Sequence, residues 1–270
     1  MEASKRIAVA GATGRVGRHV VDLLEARGHD VVSMSRATGV DVVTGEGLSD
    51  ALTGVEVVVD TATGNSPDRD QATEFFTAAT RNLQEAGERA GVQRIVVVSI
   101  IGADRFSGGY QAAKIVHEQA MLAGPVPARI LRAAQFHEFV EELMMWGRQG
   151  DVSYLPRMRT QLVSARTVAQ ALATLATGGE SESNGETLEI AGPREENLAA
   201  MASLLAARRG DPARVEEVGD YPDPDAELLA NGTLLPGPNA VLAGPTFEEW
   251  LDSDSEPARP ASAAGAANAA

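Results

Sequence analysis

The first half of the chain alternates two patterns of hydrophobic and polar positions. Short β-branched runs at 6–10, 30–35, 55–60, 94–99 and 127–132, with a briefer one at 40–43, read as strands. Between them, apolar residues recur at helical spacing over 14–27, about 68–90 and about 108–123. These three segments close on Gly28, Gly91 and Gly124, where a glycine takes the left-handed helix cap without steric cost. The run Val55-Glu-Val-Val-Val-Asp60 is nearly all apolar, as befits a strand covered on both faces. Such alternation predicts an α/β fold: a doubly wound parallel sheet with helices on both faces and ligands at the carboxyl ends of its strands.

Beyond about residue 134 the pattern loosens. Helices are expected over Phe136 to Trp146, Thr167 to Thr177 and Leu198 to Arg208, and a strand over Glu186 to Ile190. Pro- and Gly-rich spacers at 219–224 and 231–245 separate them. The reading is one domain over 1–251, with a smaller C-terminal substrate lobe built mainly from 134–251 and partly interleaved with the last strands. From Asp252 to residue 270 the composition offers almost nothing to bury, so a disordered tail is expected.

The junction of the first strand and first helix carries the most chemistry. Gly11-Ala12-Thr13-Gly14-Arg15-Val16-Gly17 is a GxxGxxG turn between an apolar strand and an amphipathic helix. Such a turn aims free backbone N–H groups and the positive helix end at one point, which suits a phosphate. The acidic balance, −15 overall, argues against nucleic acid as partner. Cysteine is absent, which removes disulfides and thiolate chemistry, and the four histidines show no metal-ligand spacing, so no metal is expected. No apolar run approaches the roughly 18 residues of a membrane helix, and no signal segment opens the chain. The expectation is a cytoplasmic protein with a small-molecule substrate and no membrane partner.

The end of the second strand bears on cofactor choice. In dinucleotide folds an acidic residue there holds the ribose 2′-hydroxyl of NAD, whereas Arg accommodates the 2′-phosphate of NADP. Here Ser35-Arg36 follows the strand, with no Asp or Glu between Val31 and Val40. Arg36, with Arg15 and Ser35 within reach of the same phosphate, favours NADP(H) over NAD(H).

The candidate chemistry lies further on. The strand ending at Ser99 is followed by Tyr110-Gln-Ala-Ala-Lys114, whose Tyr and Lys share one helix face. A nearby ammonium favours phenolate and is expected to lower the tyrosine pKa from about 10. The pair gives an acid/base for carbonyl reduction or alcohol oxidation, and Ser99 a hydrogen bond to the same oxygen. The chain has only three tyrosines and two lysines, so Tyr-x-x-x-Lys arises by random placement with a chance of roughly 0.02.

These motifs resemble the short-chain dehydrogenase/reductase superfamily. GATGRVG and Ile130-Leu-Arg-Ala-Ala-Gln-Phe-His-Glu-Phe139 most resemble its atypical, NmrA-like NAD(P)-binding branch, over roughly residues 5 to 190. The resemblance implies a Rossmann fold, Tyr110 as acid/base, Lys114 on the nicotinamide ribose and Ser99 on the substrate oxygen. It further implies Asp41 and Val42 near the adenine, Thr61, Ala62 and Thr63 beside the cofactor, and Ala133, Ala134, Gln135 and Phe136 near the nicotinamide. An NADPH-dependent oxidoreductase acting on a small, mostly apolar carbonyl or quinone-like compound is expected. The branch also includes members that bind the cofactor and report redox state without turnover, the rival reading. His137 is a candidate for facing the substrate, one or two of Met144, Met145 and Trp146 for lining an apolar pocket, and Asn82 for packing.

Overall fold

A computed structural model describes residues 3–178, 187–219 and 225–253. Its first half runs β1 (Arg6–Ala10), α1 (Gly17–Ala26), β2 (Asp30–Met34), α2 (Leu48–Ala51), β3 (Val57–Asp60), α3 (Arg69–Ala90), β4 (Arg94–Ile100), α4 (Gly109–Ala123) and β5 (Ala128–Ala133). There follow α5 (Phe139–Trp146), β6 (Arg148–Gln149), β7 (Val152–Pro156), β8 (Arg159–Thr160) and α6 (Ala165–Thr177). The remainder is β9 (Leu188–Ala191), β10 (Glu196–Asn197), α7 (Leu198–Arg209), β11 (Arg214–Val218), α8 (Ala226–Ala230), β12 (Val241–Leu242) and α9 (Phe247–Asp252).

Seven strands form one parallel sheet in the order β12-β9-β5-β4-β3-β1-β2. Every residue of β3 is buried, as its apolar run requires. One face packs Ile7, Val9 and Val59 against Val20, Leu24 and the apolar side of α6. The other packs Ala8, Val58, Ile95 and Val97 against Leu83 of α3 and Met121 of α4. A separate cluster, with Val140, Met144, Leu155, Leu205 and Phe247, holds the C-terminal lobe together. The chain leaves β1 toward β2 and crosses back to β3 on the other side, so the strand order reverses at β1, the place where open α/β sheets bind ligands.

Several expectations are corrected. Residues 40–43 form no strand, because Asp41 turns its carboxylate onto the N–H groups of Val43 (2.8 Å) and Thr44 (3.3 Å). Asn82 then donates to the carbonyls of Val42 and Val43 and pins this turn to α3, leaving β2 as the sheet edge. Gly124 is not a left-handed cap, its φ being −76°. Glycine is needed there because a Cβ would lie 2.2 Å from the side chain of Gln84, which donates to Met121 O and accepts from Val126 N–H. The helix expected from Phe136 starts at Phe139, since Phe136 bridges to Val163 in extended conformation. Within the spacer at 231–245, β12 joins the sheet edge. Asp252 still belongs to α9 and pairs with Arg208 at 2.5 Å. The rest of the expected tail from 254, part of the 219–224 spacer, and Glu186 lie outside the described residues.

Candidate active site

All five strands of the first half end at one edge of the sheet, and the candidate residues collect there. Gly11 follows β1 at φ +75°, and a Cβ on it would meet the Thr61 carbonyl oxygen at 2.8 Å. A Cβ on Gly17 would lie 2.1 Å from the Gly11 carbonyl oxygen. The turn is thus drawn against the end of β3, where Thr61 Oγ1 donates to the Ala10 carbonyl at 2.7 Å. No side chain caps α1, and the N–H groups of Thr13, Arg15 and Val16 have no acceptor among the described residues. A bare helix N-terminus behind a cradle that only glycine fits suits a pyrophosphate. The residues present fit a dinucleotide.

The flanking candidates sit around this turn. Ser35 caps a 3-10 turn over Arg36–Thr38 at the end of β2, with Thr38 Oγ1 accepting from the Ser35 N–H at 2.9 Å. Arg36 is exposed there. Arg15 instead pairs with Glu142 of α5, clasping the lobe to the glycine turn. Burial is the main cause holding its pKa below the ordinary guanidinium value, opposed by Glu138. Ala133 ends β5 and Ala134 donates to the Ile190 carbonyl. Gln135 accepts from Thr160 Oγ1 at 3.2 Å and Phe136 bridges to Val163, so this segment is fixed on both sides.

Tyr110, Lys114 and His117 lie along one side of α4. The Tyr110 hydroxyl lies 2.7 Å from Thr63 Oγ1. Lys114 is 4% exposed and its Nζ lies 2.8 Å from His117 Nδ1 rather than on the phenol. His117 Nε2 lies 3.1 Å from Asp60 Oδ2, and Asp60 Oδ1 accepts from the Ala62 N–H at 3.0 Å. Phe76 of α3 stacks on the His117 ring at 4.5 Å and lies under the ammonium at 4.5 Å. It also meets the Tyr110 ring edge at 5.6 Å.

Electrostatics corrects one expectation. The Tyr110 pKa is raised, not lowered: burial is the largest cause, the charge of Asp60 adds to it, and the Thr63 hydrogen bond only partly opposes it. Tyr110 is therefore a protonated phenol near neutral pH, an acid rather than a ready base. Burial pulls the Lys114 ammonium down to about 8, against the attraction of Asp60 and Glu118. Burial also lowers His117; burial pushes the Asp60 carboxyl up, but its contacts with His117, the charge of Lys114 and the Ala62 N–H together hold it below the usual carboxylate range.

Ser99 shares the sheet face of Ile95 and Val97, toward α3 and α4. It is 3% exposed and its hydroxyl has no partner among the described residues. His137 is buried against Phe247 and Trp250, inside the lobe rather than facing open solvent. Met144 is core, while Met145 and Trp146 are 59% and 60% exposed. Sequence reading missed Asp60, His117 and Phe76. The visible signal was the spacing 110, 114, 117, which puts three polar side chains on one helix side.

A family model described as NAD(P)H-binding matches residues 11–137. The chain is 32% identical over 141 residues to 3-diazoavenalumate denitrifying reductase of a Streptomyces species, covering 45% of each. It is 22% identical over 228 residues to photosystem II assembly factor Ycf39 of Cyanophora paradoxa, covering 78% of this chain and 71% of that one. The chain spans less than half the length of the first curated relatives it matches. A solved dTDP-glucose 4,6-dehydratase of Streptomyces venezuelae, with NAD bound, shares the fold at TM-score 0.66 and 20% identity, over 89% of this chain and 88% of that one.

Proposed function

From the premise that this chain is an NAD(P)-binding protein of the atypical short-chain dehydrogenase/reductase type, we propose that it is an NADPH-dependent oxidoreductase. Its substrate is a small, mostly apolar carbonyl or quinone-like compound. The observation that carries this reading is the Tyr110 hydroxyl, hydrogen-bonded to Thr63 and one helical turn from a buried Lys114, at the sheet edge that carries the glycine turn. The turn from Gly11 to Gly17 holds the pyrophosphate, Arg36 the 2′-phosphate, and Asp41 and Val42 border the adenine. Thr61 to Thr63 and Ala133 to Phe136 flank the nicotinamide.

When bound, a reduced nicotinamide supplies a hydride for the carbonyl carbon. Tyr110 delivers the proton to the oxygen, and its raised pKa keeps that proton in place until the oxygen gains charge. Lys114 offers a positive charge beneath, and the unpartnered Ser99 hydroxyl a second hydrogen bond for the same oxygen. Phe139, Glu142 and Trp146 share one side of α5, and Glu142 is clasped by Arg15. The exposed Trp146, packed edge-on to Phe139 at 5.5 Å, offers an apolar surface on the same helix side as the clasped Glu142, which favours an apolar substrate.

The test is NADPH oxidation against a panel of quinones, aldehydes and ketones. Tyr110→Phe is expected to lower turnover by at least ~10²-fold with NADPH affinity nearly unchanged, and Lys114→Ala to lower both. Turnover that survives Tyr110→Phe intact removes the mechanism. The likeness to Ycf39 over 78% of the chain favours one second reading, a noncatalytic NADP(H)-binding regulator. That reading requires no turnover with any of the panel and a partner affinity that differs between NADPH and NADP⁺.

A further inference from the structure

We propose that Asp60 and His117 are positioning residues that keep the Lys114 ammonium charged and aimed toward the cofactor edge. The proposal rests on the reading of Lys114 as a cofactor-facing cation. An ammonium only donates, so the 2.8 Å contact makes His117 Nδ1 the acceptor. The ring proton then resides on Nε2 and is donated to Asp60 Oδ2. A single neutral tautomer links a buried cation to a buried carboxylate.

The surroundings leave Asp60 as the counter-charge. From its own helix Lys114 also faces Glu118, but both Glu118 oxygens accept from Arg132 of β5, at 3.0 and 2.8 Å. Arg132 in turn reaches Asp104 at 3.3 Å. From α3 comes only the ring of Phe76, and Tyr110 is neutral. Asp60 is 2% exposed and faces the ammonium through His117, which is 1% exposed. A charge so buried is costly unless compensated. Burial already brings Lys114 down to about 8, and Asp60 works in the opposite direction. The other oxygen of Asp60 holds the Ala62 N–H, in the loop that carries Thr63 to the Tyr110 hydroxyl. One carboxylate thus positions the cation and the partner of the acid together.

The chain contains only two lysines, Lys5 and Lys114, so ¹³C-labelled lysine gives two readable side-chain signals. In the wild type the Lys114 signal should titrate near pH 8. Asp60→Asn, nearly isosteric, should move that midpoint down by at least about one pH unit, with Lys5 unmoved. His117→Phe keeps the ring stack, removes the acceptor, and should also lower it. His117→Asn retains an acceptor near the Nδ1 position and should recover part of the loss; should the phenylalanine variant not fold, this variant must still titrate below wild type. Unchanged Lys114 midpoints in the folded Asp60 and His117 variants overturn the proposal. Failure of the wild type to reduce any compound of the panel overturns the reductase reading instead, and the titration still decides this one.

Discussion

The sheet half of the molecule and its C-terminal lobe are held together by different means. In the first half, strands of four to seven residues, the edge strand β2 aside, are mostly buried on both faces, and candidate groups sit at their ends. In the lobe, β6, β8 and β10 are two residues long, and ion pairs ring the surface: Arg148 with Asp211, Arg157 with Glu217, Arg159 with Glu195. Exposed pairs contribute only about 0–1 kcal/mol each, so the lobe's order rests on its own apolar cluster. Besides α6, β9 and β12, which join the core of the sheet half, two polar clasps tie the lobe to it. Asp225 accepts from the Ser107 and Gly108 N–H groups just before the helix of Tyr110, and Glu142 holds Arg15. The proposed chemistry stands on the sheet half, whose backbone is fixed by close packing at the glycine turn, and in that reading the lobe shapes what reaches it.

The largest expected effect tests that rigidity. Gly17→Ala places a Cβ 2.1 Å from the Gly11 carbonyl, and neither backbone can yield without leaving Thr61. NADPH affinity, read by fluorescence titration, should fall by at least ~10²-fold, or about 2.7 kcal/mol. Gly150→Ala in the lobe offers the contrast: its φ is +61° but nothing lies within 4 Å of the added carbon. It should cost about 1 kcal/mol of stability and leave cofactor affinity alone. Equal losses of affinity in both variants would break the distinction between the halves.

An effect confined to a pH window concerns how the lobe packs. Burial holds His137 down to about 4, against a backbone contact with Leu162. Its folded pKa lies below the unfolded value of 6.5, so between those pH values the unfolded chain binds more protons. The contribution is fully present above pH 6.5 and is lost as pH falls toward 4, up to about 3 kcal/mol. Urea melts of wild type and His137→Leu across that window should diverge, the variant having the flatter pH dependence. Trp250 packs on His137 at 5.2 Å, so tryptophan fluorescence should report lobe loosening before helix content falls. Parallel pH dependences in the two proteins would refute the assignment.

What the sequence discloses follows the same division. Buried parallel strands are continuous apolar runs, so β1 to β5 were legible, as was the Tyr110 and Lys114 pair one helical turn apart. Residues 40–43 mislead because Val40, Val42 and Val43 mimic a strand, while Asp41 takes the backbone N–H groups that a ladder would need. Two-residue strands such as β6 have no period to detect. The link between Asp60 and His117 spans 57 positions and depends on how tertiary packing brings α4 beside the end of β3. The direction of the Tyr110 pKa was misread because neighbouring charge was weighed without burial, which is the larger cause.

The smallest expected effect belongs to an exposed candidate group. Arg36 stands on a turn fixed by Ser35 and Thr38, while Arg15 is committed to Glu142 and the Asp41 carboxylate to Val43 and Thr44. In the proposed reading, preference for the 2′-phosphate therefore falls to Arg36. NADPH should bind at least about tenfold tighter than NADH, a difference of about 1.4 kcal/mol. Because the guanidinium is in water, added salt should narrow the gap, as it would not for a buried pair. Arg36→Asp should reverse the order by repelling the phosphate and accepting from the ribose hydroxyls. A comparable reversal from Arg15→Ala, with Arg36→Asp silent, would move the specificity to the clasp between sheet and lobe. Equal wild-type affinities for the two cofactors would remove the preference altogether.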